Sequence, residues 1–266
     1  MFNIEAIVEY LLPFALKIEK LFNWDTPKDK DVNFLKENGI ISSEECQQLQ
    51  QIESSYEKNV AVKLILSSVL DKLDSIQDRK LVYKWIVSNW GGINSINVEK
   101  LNSSVEQFLK QRAEGSKYAK IESRASVTKV LSFIDPEKYI IYDTRVAYSI
   151  NWILLKTNSS KMFFPMSEGR NSKLRGVNIE TLIRLSRASE YLDNLNDKKV
   201  MSKVDKKIFI DDTLAYPMLC DLIAAINHKL WSDERTKYPF YTEMLLFAIA
   251  DNIIFEDVLK TCSMKF

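Results

Sequence analysis

Apolar side chains return at three- and four-residue steps along most of the chain, and that period sets the first expectation, a protein built from helices. Between residues 4 and 22, Ile4, Ile7, Val8, Leu11, Leu12, Ala15, Ile18, Leu21 and Phe22 form one apolar stripe, which predicts an amphipathic helix kinked at Pro13. Ser42-Ser43-Glu44-Glu45 has the capping-box arrangement; Ser103 with Glu106 predicts a second helix start, and Gly115 should close that helix. Helices are expected near 57–74 and 78–90, the latter ended by Gly91-Gly92. The run 124–134 is apolar at Val127, Val130, Leu131 and Ile134, so it reads as a helix with one buried face, broken by Asp135-Pro136. Residues 139–142 read as a short extended or buried connection. Asp143, a preferred N-cap residue, then precedes a helix carrying Val146, Ala147, Ile150 and Leu154.

The segment 156–178 has no clean period and contains Pro165 and two glycines, which predicts a long loop of the kind that often carries function. Helices resume at about 179–195, 211–230 and 239–260, with no internal repeat and no low-complexity tract. The expected architecture is all-α: one unit over 1–266 with two lobes, about 1–110 and about 111–266. Composition agrees, because 6 Gly and 6 Pro in 266 residues are too few turn-formers for a sheet-rich protein.

Composition also narrows the chemistry. Cys46, Cys220 and Cys262 are far apart and lack CxxC spacing, so neither a disulfide framework nor a zinc site is expected, and the compartment reads as reducing. His228 is the one histidine, which excludes histidine triads and multi-histidine metal centres. No metal and no cofactor are expected. The start of the chain lacks a basic region before an apolar one, and no stretch approaches the roughly 18 apolar residues of a span, so the expectation is a cytoplasmic protein with no membrane partner; the oligomeric state stays open, with a monomer favoured. Net charge is +1, yet residues 116–207 hold 18 Lys plus Arg against 10 Asp plus Glu. This asymmetry permits a phosphate-binding face; the 198–207 cluster reads equally as a solvated lysine-rich surface.

The residues with the most chemical content are 124–147: an apolar helix, the Asp135-Pro136 break, and an apolar stretch ending in Ile141-Tyr142-Asp143-Thr144-Arg145-Val146-Ala147. This stretch resembles the helix-hairpin-helix DNA glycosylases, in which the helix after the hairpin is followed by a V-D-T-x-V motif bearing the catalytic Asp. The resemblance is strong over about two dozen residues. It implies a two-lobed helical fold, DNA as partner, and Asp143 as the carboxylate that stabilises the oxocarbenium-like charge formed when an N-glycosidic bond breaks. Asp143 also reads simply as an N-cap, and the two roles are compatible.

This chain departs from that family in two places. The glycine-rich hairpin is degenerate, with Gly115-Ser116-Lys117-Tyr118 or Ser123-Arg124 in its stead, and the position of the lysine found in bifunctional members falls around Ala125. A monofunctional reaction, in which water attacks the sugar, follows from that absence; Lys120 and Lys129 are the alternative nucleophiles. Arg124, Ser126, Arg145, Arg170, Asn171, Lys173 and Arg175 are candidate DNA contacts. A flipped base needs an aromatic pocket, for which Tyr118, Tyr142, Tyr148, Trp152, Phe163 and Phe164 lie nearest in sequence, although aromatics at helical spacing are more often core. The 163–173 loop could insert beside a lesion or be a plain surface connection. Glu243 and Asp251 flank an apolar C-terminal helix as solvated or capping groups. The functional expectation is base removal, in repair or in antiphage defence against hypermodified DNA; the alternatives are a catalytically silent helical DNA-binding or interaction module and an unrelated all-α enzyme.

Overall fold

The computed structural model describes residues 2–118, 121–167, 169 and 171–263. Its helices in chain order begin with α1 (Ile4–Ala15), α2 (Ile18–Leu21), α3 (Asp29–Glu37), α4 (Ser43–Gln51) and α5 (Ser55–Lys72). There follow α6 (Ile76–Trp85), α7 (Val98–Ala113), α8 (Arg124–Ile134), α9 (Thr144–Lys156), α10 (Ser172–Gly176) and α11 (Ile179–Ser186). The last are α12 (Ala188–Leu192), α13 (Val200–Ile208), α14 (Asp212–Leu230), α15 (Phe240–Ile249) and α16 (Phe255–Thr261). Among the described residues no strand forms; one isolated parallel bridge joins Phe163 to Phe209. No described helix is long and apolar enough to cross a membrane.

Local chemistry explains most of the boundaries. Ser42 and Glu45 make the reciprocal capping box at α4, as expected, whereas Ser103 and Glu106 lie inside α7. That helix is capped six residues earlier, by Asn97, whose side chain accepts from the Lys100 N–H at 2.9 Å, and its end is followed by Gly115 at φ +77°. α6 does not stop at Trp85 but widens into a π turn over Ile86–Trp90, closed by Gly91 and Gly92. α15 does the same over Ala250–Ile254 before α16. The long loop at 156–178 contains the short helix α10, and the lysine-rich 198–207 stretch is largely helix α13, which buries Val204 and Ile208.

One hydrophobic core runs through the molecule. α1 packs on α14, α5 on α8, and α9 on α15, so residues far apart in sequence share one interior. At its centre, α9 is buried from Val146 through Leu154, and only its first turn reaches a cavity.

Candidate active site

The 140–143 connection is held by side chains from three helices. The Tyr216 hydroxyl of α14 donates to the Ile140 carbonyl at 2.9 Å, Glu243 of α15 accepts from the Ile141 N–H at 3.4 Å, and Thr128 of α8 accepts from the Tyr142 N–H at 3.0 Å. This bracing delivers Asp143 to the N-terminus of α9, where one carboxylate oxygen accepts from the Val146 N–H at 3.0 Å. Asp143 is half-buried, and it lines an open pocket of about 650 Å³.

The walls of that pocket come from distant parts of the chain. Asn59 and Lys63 project from α5, Gly91 and Gly92 from the turn after the π segment, Ala125 and Lys129 from α8, and Glu243 and Phe247 from α15. Phe22, Trp24 and Trp90 supply further aromatic wall. Lys63, Lys129 and Glu243 are almost wholly buried, an expensive placement for charge. Glu243 lies 3.5 Å from the Lys63 ammonium, which is also near the Ser132 hydroxyl at 3.3 Å. Burial lowers the pKa of Lys63 against the opposing pull of Glu243, and burial raises the Glu243 carboxyl against Lys63. Lys129 is likewise lowered by burial, with the nearby carboxylates of Asp143 and Glu243 pulling the other way. Titratable groups displaced by desolvation and gathered in one cleft are what a reactive site requires.

Two glycines permit the close contacts around this cleft. A Cβ on Gly91 would lie 2.8 Å from Lys129 Cδ and equally close to the Val87 carbonyl oxygen. On Gly169 it would lie 1.9 Å from the Thr144 hydroxyl, so the backbone at Gly169 crosses directly over the first turn of α9. Thr144 reinforces that crossing by donating to the Ser167 carbonyl at 3.0 Å.

Of the residues singled out from sequence, Asp143, Lys129, Arg145 and Asn171 meet in the pocket. Arg145 is engaged within the fold: its Nε donates to Asp251 at 2.7 Å, and its guanidinium lies over the Phe247 ring at 4.6 Å. Asn171 donates to the other Asp251 oxygen, and the Lys173 ammonium reaches the Asp251 carbonyl at 3.5 Å. Asp251 is therefore the hub of a polar cluster, not a solvated flank. Arg124 is likewise engaged, with Asp212 at 2.8 Å and the Tyr142 ring at 4.7 Å. Arg175 is exposed, while Ser126 lines a separate hollow of about 90 Å³ with Lys100 and Ser123. Lys120 and Arg170 lie outside the described residues.

The sequence-nearest aromatics do not form the pocket. Tyr142, Tyr148, Trp152, Phe163 and Phe164 are buried in the core, and Tyr118 is exposed. Their polar tips are satisfied inside it: Tyr142 donates to the Pro165 carbonyl, Tyr148 to that of Val177, and Trp152 to Asp257. Phe163 and Phe164 cannot act as an inserting tip, since Phe163 bridges to the backbone around Phe209 and Phe164 stacks on Phe2. Glu243, expected at the surface, is 3% exposed.

Asn59 and Lys63 escaped the sequence reading, yet a signal existed. They occupy the stripe Tyr56, Asn59, Lys63, Leu66, Leu70, whose three- and four-residue steps mark the buried face of α5. Glu243 lies in a helix apolar on nearly all sides, where any polar residue is interior. Among the described residues no cluster of His, Cys, Asp or Glu is arranged to hold a metal ion. Compared with family models, curated proteins and solved structures, the chain matches none.

Proposed function

We propose that this chain is a DNA glycosylase that hydrolyses the N-glycosidic bond of a modified base drawn into the Asp143 pocket. The observation that carries the reading is the position of that carboxylate, oriented by a helix N-terminus at the wall of a cavity otherwise lined by aromatic rings and buried amines. About 650 Å³ falls within the roughly 300–1,000 Å³ of small-molecule sites and gives room for a base larger than the ordinary four. As the base departs, positive charge builds on the sugar, and a fixed carboxylate in a partly dry cleft stabilises it without reorganising. Repair of damaged bases and defence against hypermodified phage DNA both fit this chemistry.

Asp143→Asn tests the assignment cleanly, because Asn caps a helix as well as Asp and the fold keeps its N-terminal hydrogen bond. In single-turnover assays on damaged and phage-derived DNA, with released bases identified by mass spectrometry, the variant should lose at least about a hundredfold in rate at nearly unchanged thermal stability. Equal release by both proteins would remove Asp143 from the chemistry. DNA binding without release by either would leave a silent DNA-binding module.

One observation favours a second form of the same reaction. Lys129 follows Ala125 by four residues on the same face of α8, and its ammonium reaches back to within 3.5 Å of the Ala125 carbonyl. The amine thus approaches the place where the resemblance would put a lysine. In its neutral form it could bond the sugar carbon as the base leaves with the bonding pair; proton loss and ring opening then give an imine. Borohydride reduction joins protein to DNA if the amine attacks and leaves them separate if water does.

A further inference from the structure

Both pocket tryptophans spend their indole N–H groups inside the chain. Trp24 Nε1 donates to the Trp90 carbonyl at 3.1 Å, and Trp90 Nε1 donates to Asn59 Oδ1 at 2.6 Å. Asn59 Nδ2 completes the circuit by donating to the Trp24 carbonyl at 3.1 Å. Three bonds therefore close a ring through residues 24, 90 and 59. The same amide donates to the Ser55 carbonyl at 2.8 Å, which roots the ring on α5, and the Thr26 hydroxyl adds a second donor to the Trp90 carbonyl at 2.8 Å. Asn59 is 3% exposed, so removing its partners would strand a buried amide.

The circuit has a consequence for what the pocket can recognise. With their N–H groups engaged, the half-buried Trp24 and the 7% of Trp90 that is exposed offer a ligand only ring carbon, a surface that takes flat aromatic rings whatever hydrogen-bonding pattern the ring carries. Polar discrimination is left to the side chains of the other walls, Lys63, Lys129, Asp143, Arg145, Asn171 and Glu243 among them. Rings held in advance also spare a ligand the cost of ordering them.

We propose that Asn59 is a positioning residue that locks Trp24 and Trp90 as a preformed stacking surface for a flat heteroaromatic ring. The identity of that ring as a nucleobase rests on the glycosylase reading above; the stacking surface itself does not. Asn59 has no part in bond breaking, and its effect is on which ring shapes enter and how tightly.

The five tryptophans make the test spectroscopic. In full-length protein labelled with 5-fluorotryptophan, Trp24→Phe and Trp90→Phe assign two of the fluorine resonances. Titration with free adenine or uracil should shift both. Dihydrouracil keeps the hydrogen-bonding edge of uracil but loses the flat π-ring, and it should bind about tenfold more weakly, as expected for lost stacking. Asn59→Leu should broaden the Trp24 and Trp90 lines and cost adenine about tenfold in affinity, while Trp85, Trp152 and Trp231 keep theirs. Asn59→Asp, which retains the acceptor for Trp90 but loses the donor to Trp24, should fall between. Ligand-insensitive Trp24 and Trp90 lines, equal binding of uracil and dihydrouracil, or wild-type affinity in both Asn59 variants would overturn the proposal. So would loss of the Trp85, Trp152 and Trp231 lines in both variants, which would make Asn59 a folding residue. Base release that continues despite such a failure would spare the glycosylase reading, and flat-ring binding without base release would do the reverse.

Discussion

Two sets of aromatic residues separate the interior of this protein from its pocket. Tyr142, Tyr148, Trp152, Phe163 and Phe164 lie close to Asp143 in sequence and are at most 1% exposed. Phe22, Trp24, Trp90 and Phe247 lie about 50 to 120 residues from Asp143 and line its cavity. For Tyr148 and Trp152 the difference follows from the direction of α9, whereas Tyr142 precedes that helix and Phe163 and Phe164 follow it in backbone packed on Phe209 and Phe2. The N-terminus of α9 faces the cavity, but its axis leads into the core, so the turns from Val146 to Leu154 pack against α1, α11, α15 and the π segment Ala250–Ile254. Proximity to Asp143 along the chain therefore predicts core, and the pocket is assembled by the other elements that cross the start of α9.

Truncating one member of each set would break the comparison if it is wrong. Phe164→Ala should cost about 3–5 kcal/mol, as for other buried phenylalanines, and lower the melting temperature by roughly 10 °C in a chain of this size. Trp24→Ala should cost clearly less, because that ring is half-buried, while weakening flat-ring binding. Thermal denaturation of both variants beside the adenine titration decides the matter. A Trp24 variant as unstable as the Phe164 variant would erase the distinction.

Gly91 gives a smaller and more local break. Gly91→Ala places a methyl against Lys129 Cδ and against the Val87 and Ile86 carbonyl oxygens, all within 2.9 Å. Two of the three contacts are backbone carbonyls of the π turn, so that turn must shift along with the Lys129 stem, at about 1–3 kcal/mol by analogy with overpacked cores. Denaturant unfolding measures the loss. Stability matching the wild type would mean that the turn relaxes freely and that the glycine is only a helix stop.

The helical architecture was legible in the sequence because amphipathic periodicity is strong, and Ser42, Asp135-Pro136 and Asp143 mark three element ends where the structure has them. Asp143 and Lys129 were legible as candidates. The rest of the pocket was not, since Phe22, Trp24, Asn59 and Trp90 meet only through tertiary packing, and no local pattern distinguishes a tryptophan facing a cavity from one facing a core. The ion pairs of Arg124 and Arg145 were illegible for a related cause. Each basic side chain has an acidic partner about 90 to 110 residues away, Asp212 and Asp251.

The smallest expected effect is a pH dependence that separates the two buried ends of the cleft. Lys129 has its pKa held below the ordinary lysine value of 10.5, chiefly by burial, so in the interval beneath 10.5 the unfolded chain carries more protons than the folded one. Its contribution to stability is fully present above 10.5 and is lost as pH falls through the folded value. Glu243 runs the other way: burial holds its carboxyl above 4.5, so its contribution is complete below 4.5 and fades as pH rises through the folded value. Asp143, Glu243 and Arg145 face Lys129, and Lys63, Asp143 and the Ile141 amide face Glu243, so neither group titrates alone. Denaturant unfolding between pH 7 and pH 10 should show the wild type gaining stability relative to Lys129→Met as pH rises, and the same measurement carried upward from pH 4.5 should show it losing stability relative to Glu243→Gln. A Lys129→Met difference that stays flat between pH 7 and pH 10 would place the folded and unfolded amines at the same pKa and remove the case for a neutral nucleophile in the pocket.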